Sequence, residues 1–242
     1  MPNKSIFYHL AEILLIVLVF TIPSIAGEVA PQELTGSAIS PLPVVADVPA
    51  TQTSLYQDLG LNGIVEETVF EDALKGYQKI RPGKAILALA DLSQASTEKR
   101  FIVIDLENKK VLFHSYVAHG KNSGENCATQ FSNVPESYES SLGFYLTGPV
   151  IQSPKHGPAL ELNGLEKGFN DNAKSREIIM HAADYVSEAF VRSQGRLGRS
   201  FGCPALPGDI NEAVINTIKN GCVLFIYGND KNYLAQSQYL RD

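Results

Sequence analysis

Phe101-Ile102-Val103-Ile104-Asp105-Leu106 and Val111-Leu112-Phe113-His114-Ser115-Tyr116-Val117 flank the polar segment Glu107-Asn108-Lys109-Lys110. Two strand-length runs rich in β-branched and aromatic residues, joined by a short polar turn, read as a β-hairpin. Further strand-length runs stand at residues 85–90, 144–148, 177–180 and 222–227. Helical spacing stands out in two places, and Ala182 to Leu197 reads as a partly helical or loop stretch. Thr68-x-x-Glu71 has the spacing of a capping box, with Phe70, Leu74, Tyr77 and Ile80 on one face and a break at Pro82-Gly83. Asp209-x-x-Glu212 opens the second, where Ile210, Val214 and Ile218 recur at helical spacing before a stop at Gly221. No regular alternation of strand and helix runs through the chain, which argues against a doubly wound parallel sheet. The expected fold is mainly β with short helices (α+β), built on a sandwich-like or barrel-like sheet.

The N-terminus reads as a targeting segment over residues 1–26. Lys4 precedes an apolar stretch over 13–22, and Ser24-Ile25-Ala26 offers a small-x-small cleavage site before Gly27. His9 and Glu12 interrupt the apolar run, which argues against a full span of about 20 residues; an uncleaved anchor is the alternative. Residues 27–54, rich in Pro, Ala, Val, Thr and Ser, read as a linker. The folded domain is expected over 55–228, followed by a polar tail over 229–242. Periplasmic or extracytoplasmic location after Sec-type export follows from this layout. The net charge of −6 gives no electrostatic footprint for nucleic acid.

The chemistry concentrates in Gly198-Arg199-Ser200-Phe201-Gly202-Cys203-Pro204-Ala205, with His181 upstream at the end of an apolar run. Cysteine attacks as the thiolate, and a neighbouring imidazole can take its proton. Gly202 would let backbone N–H groups come close to a substrate carbonyl. The residues also admit a plainer reading, since a lone cysteine is often a small buried hydrophobe. Three cysteines in an exported chain suggest one free thiol and leave Cys127 and Cys222 as a candidate pair. Cys222, however, opens an apolar run, and no bridge is favoured. Residues 152–175 read as a long irregular insert containing His156-Gly157 and Asn170-Asp171-Asn172, whose spacing does not suit a Ca²⁺ loop. His114, within a strand pattern, reads as a hydrogen-bonded structural residue. No spacing such as His-x-x-x-His supports a zinc site, and no metal is expected.

Ser200-Phe201-Gly202-Cys203 resembles the Ser-x-Gly-Cys signature of the L,D-transpeptidase (YkuD-type) catalytic domain, which carries its histidine upstream. Val117-Ala118-His119-Gly120, Phe131-Ser132-Asn133, Ser141-Leu142-Gly143, the segment from Gly164 to Ala173, and Gly198-Arg199-Ser200 are similar to its murein L,D-transpeptidase branch. The likeness covers residues 55–228. It implies a β-sandwich or barrel-like catalytic domain acting on peptidoglycan stem peptides without a cofactor. Cys203 would be the nucleophile and His181 the general base. Ser200 would orient the imidazole, and the N–H groups of Gly202 and Cys203 would form the oxyanion hole. D-Alanine would leave, and an acyl-thioester would pass to a neighbouring stem. Many relatives have arginine two residues after the cysteine, where this chain has Ala205; Arg199, across the turn, is the expected substitute for binding substrate, with His119 as a second contact. The rivals are an L,D-carboxypeptidase using the same site and a non-catalytic wall-binding module. A papain-like protease would carry its cysteine before its histidine.

Overall fold

The computed structural model describes residues 54–241. The expected targeting segment over 1–26, and the linker as far as residue 53, lie outside the described residues. Helices α1 (Leu55–Asp58) and α2 (Glu67–Ile80) precede strands β1 (Ile86–Asp91), β2 (Phe101–Asp105) and β3 (Lys110–Ser115). Strands β4 (Gly143–Ser153), β5 (Gly157–Gly164) and β6 (Ile179–Ala182) follow, then helix α3 (Glu188–Gln194) and strand β7 (Ala205–Leu206). Helix α4 (Gly208–Ile218), strand β8 (Val223–Tyr227) and helix α5 (Lys231–Gln236) complete the domain.

All the strands join one sheet in the order β3-β2-β1-β8-β4-β5-β6-β7. The hairpin read from the sequence is the β2–β3 pair, with a register shift between Val103 and Ile104. The chain after β3 then crosses to the other edge. Ala118 bridges Ala205 of β7, its N–H donating to the Ala205 carbonyl at 2.9 Å, and Gly120 bridges Ser200. These bridges bring the two edges together and give a nearly closed, barrel-like sheet with few short helices, the expected class.

Central strands β1 and β8 run parallel, and β8 is buried at every position. Helix α2 buries Val69, Phe70, Ala73 and Gly76, and α4 buries Val214, Ile215 and Ile218. A Cβ at Gly76 would lie 2.1 Å from the Phe144 ring, so glycine is what lets α2 approach the sheet. Phe144 stacks on Phe225 with centroids 4.1 Å apart. Burying each such ring contributes about 1.5–3 kcal/mol.

Four details differ from the sequence reading. Helix α2 starts at Glu67 with no side-chain cap, so Thr68 lies within the first turn and forms no capping box with Glu71. Helix α4 starts after Pro207, and Asp209 sits in its first turn, where a carboxylate suits the helix dipole. Residues 152–175 are only partly irregular: β4 and β5 pair antiparallel as a hairpin that turns between Ser153 and Gly157. The expected polar tail contains α5, capped by Asp230, whose carboxylate accepts the Tyr233 N–H at 2.8 Å.

Buried Glu166 explains why that last helix docks. Its carboxylate accepts the Phe144 N–H at 2.8 Å, the Tyr233 hydroxyl at 2.9 Å and the Ser237 hydroxyl. Burial pushes its pKa up, against the pull of these three donors. Glu166→Ala would strand all three in the interior at about 1–3 kcal/mol each. The expected loss is about 3–5 kcal/mol, read in thermal unfolding as a fall of about 10 °C in Tm. A change under about 1 kcal/mol would show that the carboxylate does not hold α5.

Candidate active site

The turn that carries Cys203 is built from close backbone approaches. A Cβ at Gly198 would lie 2.3 Å from the Tyr185 Cβ. Ser200 donates its N–H to the His119 carbonyl at 2.9 Å, and its own carbonyl accepts the Lys121 N–H at 2.7 Å. The Ser200 hydroxyl donates to the Cys203 carbonyl at 2.6 Å and accepts the Gly202 N–H at 3.1 Å, closing the turn on itself. Gly202 has φ +120°, and a Cβ there would lie 2.7 Å from the Glu139 carbonyl oxygen. Both facts require glycine.

This turn delivers Cys203, half-buried, to the end of β6. The Ile179 N–H points at the Cys203 Sγ at 3.5 Å, and the thiol faces the Glu177 carbonyl at 3.7 Å. Glu177 holds a left-handed backbone at φ 55°. Strands β6 and β7 pair in parallel, His181 opposite Ala205. Cys203 stands two residues before Ala205, and Ile179 two before His181. His181 thus stands on β6 and Cys203 on the turn that leads into β7, and the partners of the sulfur itself are the Ile179 N–H and the Glu177 carbonyl.

His181 is buried, and its Nδ1 lies 2.8 Å from the Ala182 carbonyl oxygen. A carbonyl only accepts, so Nδ1 carries the proton and Nε2 is the basic nitrogen. The His156 ring stacks on His181 at 3.7 Å with an interplanar angle of 22°. Burial pushes the His181 pKa down; the Ala182 carbonyl opposes this, and His156 adds to it. Burial pushes the Cys203 thiol up, opposed by the Ile179 N–H and by the nearby Arg176 charge. At neutral pH the two groups are thus an uncharged thiol and an uncharged imidazole.

Other expected site residues have different surroundings. Ser200 shapes the turn, and the Ala182 carbonyl orients the imidazole in its place. The Gly202 N–H is engaged by Ser200. His119 is buried, with Arg100 Nη2 at 2.7 Å from its Nδ1 and its Nε2 3.2 Å from the Gly124 carbonyl. Burial and then the Arg100 charge push its pKa down to about 4, so it is a neutral structural contact. Arg199 binds the Lys121 and Gly124 carbonyls and forms an ion pair with Glu125 at 2.8 Å. The His114 ring lies 2.7 Å from the Lys99 carbonyl. All three cysteines are unbridged, Cys127 exposed and Cys222 buried.

Two residues before Cys203, Phe201 is 65% exposed. Its ring centroid lies 4.9 Å from that of Tyr138, and Lys121 Nζ sits 4.1 and 4.5 Å from the Tyr138 and Phe201 centroids. A cavity of about 510 Å³ lined by Tyr116, Ala183, Asp184 and Asp209 contains neither Cys203 nor His181. The site is recognised by its chemistry, because hollow space alone points elsewhere. Among the described residues, no group of three or more His, Cys, Asp or Glu is placed to hold a metal ion, and no helix is long and apolar enough to cross a membrane.

The profile of the L,D-transpeptidase catalytic domain matches residues 62–227. The chain belongs to this family. Among solved structures, this L,D-transpeptidase-family chain is similar to an L,D-transpeptidase from Mycobacterium smegmatis, with 18% identity and TM-score 0.36, covering 60% of each chain. It is similar to an L,D-transpeptidase from Stackebrandtia nassauensis, with 16% identity and TM-score 0.36, covering 73% of this chain and 76% of that one. A third is the helical cell shape determining protein Pgp2 from Campylobacter jejuni, with 16% identity and TM-score 0.43, covering 62% of this chain and 49% of that one. This family member therefore spans about 60% of the Mycobacterium smegmatis structure and about half of Pgp2. No curated protein matches it.

Proposed function

We propose that the protein is an exported cysteine L,D-transpeptidase that acts on peptidoglycan stem peptides through an acyl-thioester on Cys203. The observation that supports this best is the β6–β7 register, which pairs His181 with Ala205 and sets the Cys203 sulfur against the Ile179 N–H. In this reading, Nε2 of His181 takes the thiol proton as the sulfur adds to the carbonyl carbon. The Cys203 N–H supports the developing oxyanion. The carbon–nitrogen bond then breaks, and the imidazolium gives its proton to the departing D-alanine amine. An amine from a second stem adds to the thioester, its proton passes to His181, the carbon–sulfur bond breaks, and the imidazolium returns that proton to the departing Cys203 sulfur. Phe201, Tyr138 and Lys121 form the exposed face along which a stem would lie. Splitting one amide exchange into two acyl transfers is the gain of covalent catalysis.

The test incubates purified protein with muropeptides bearing tetrapeptide stems. Free D-alanine, cross-linked dimers and a mass adduct on the peptide containing Cys203 are expected. Trimmed stems without dimers would make it a hydrolase, and no D-alanine and no adduct would overturn the proposal.

A further inference from the structure

Arg176 lies three residues before Ile179, in a polar stretch with nothing in its spacing to single it out. Its Nη1 donates to the Ser132 carbonyl at 2.8 Å and to the Ser141 hydroxyl. Its Nη2 donates to the Ser137 hydroxyl at 3.0 Å and the Glu139 carbonyl at 2.9 Å. One guanidinium thereby ties together both ends and the middle of the segment from Ser132 to Ser141. That segment lies against the nucleophile turn. The Glu139 carbonyl oxygen is the atom that a Cβ on Gly202 would meet at 2.7 Å, and Arg176 Nη2 lies 3.4 Å from the same point.

These four acceptors are carbonyls and hydroxyls, all of them neutral. The Nε–H is buried and has no acceptor. No carboxylate is among these partners, Glu139 acting on the guanidinium only through space, and a partly buried charge acts strongly on what faces it. What faces it is the turn carrying Cys203.

We propose that Arg176 is a positioning residue for the thiol chemistry: it clamps the 132–141 segment onto the nucleophile turn and sets a positive charge beside the Cys203 sulfur. The inference rests on Cys203 being the nucleophile and not on which bond it cleaves. The other titratable groups around the sulfur are Glu177, which disfavours the thiolate, and the neutral phenols of Tyr145 and Tyr185, while Glu139 acts on the guanidinium itself. Arg176 is the cation of this set.

The test follows alkylation of Cys203 by iodoacetamide across pH, mapped by peptide mass, alongside hydrogen exchange over residues 132–141. Arg176→Met removes both charge and clamp. Its midpoint is expected to rise by about one pH unit, so alkylation at a fixed pH below the midpoint slows about tenfold. Arg176→Lys keeps a cation but cannot make four directed bonds. It is expected to restore the midpoint while leaving the 132–141 amides unprotected. A folded Arg176→Met protein with the wild-type midpoint overturns the proposal, as does wild-type protection over 132–141 in both variants. Should Arg176→Met fail to fold, Arg176→Lys decides: a wild-type midpoint with lost protection supports the proposal, and a raised midpoint refutes it. Alkylation requires no peptidoglycan. Inertness toward stem peptides would therefore sink the proposed activity and leave this test intact.

Discussion

The Cys203→Ala protein is expected to release no D-alanine, form no cross-links and carry no acyl adduct, with its fold unchanged. Alanine removes only the sulfur, and the neighbouring contacts are weak ones: an N–H at 3.5 Å and a carbonyl at 3.7 Å. The Ser200 hydroxyl, bonded to the Cys203 carbonyl and the Gly202 N–H, closes the turn in either protein. Cys203→Ser should be nearly as inert, because a hydroxyl holds its proton far more tightly than a thiol. Burial keeps the Cys203 pKa above its ordinary value. Alkylation in the wild type should therefore climb steadily as pH rises past neutrality toward that pKa. Exposed Cys127 supplies the control, since it can be alkylated without touching the turn. Cys127→Ser should keep full turnover and lose only that label. Unchanged turnover in Cys203→Ala would remove the nucleophile from the proposal.

Much of this architecture could be read from residue pattern. The β2–β3 hairpin was legible because strand-forming runs bracket a polar turn of hairpin length. Cys203 and His181 stand out as candidates in the sequence because thiol and imidazole are rare side chains with specific chemistry. What escaped was carried by atoms that have no residue-type signature. The carbonyl that orients His181 belongs to Ala182, and any residue would supply one. Arg176 reaches acceptors up to 44 positions away in sequence, so its role appears only once the chain is folded. Strand β7 has two residues, too few for any period to show. Helix α5 buries only Tyr233, and its docking depends on Glu166 far upstream, so its sequence looked like a tail. The Ser200 hydroxyl spends its bonds on the Cys203 carbonyl and the Gly202 N–H, and the oxygen beside His181 Nδ1 is the Ala182 carbonyl.

His181→Gln is expected to lower kcat by about 10²–10⁴, the usual contribution of a positioned general acid–base. Glutamine fills much of the space of the ring, its amide standing where Nε2 stood, so packing is largely retained while the basic nitrogen and the Nδ1 bond to the Ala182 carbonyl are lost. The effect should fall on kcat more than on KM, because proton transfer belongs to the transition state. The pH profile carries the sign of the argument. Burial holds the folded-state pKa of His181 below its ordinary value. The neutral, active imidazole is therefore present across the neutral range and is lost only as pH falls through that depressed pKa. An acid limb lying below the ordinary histidine range is expected in the wild type and absent from the glutamine variant. His156 cannot take over the role from its stacked position: protonating it places a like charge 3.7 Å from the His181 ring centroid, which opposes the imidazolium that catalysis must form. A glutamine variant with wild-type kcat, or one that keeps the same acid limb, would assign the proton transfer to some other group and break the pairing with Cys203.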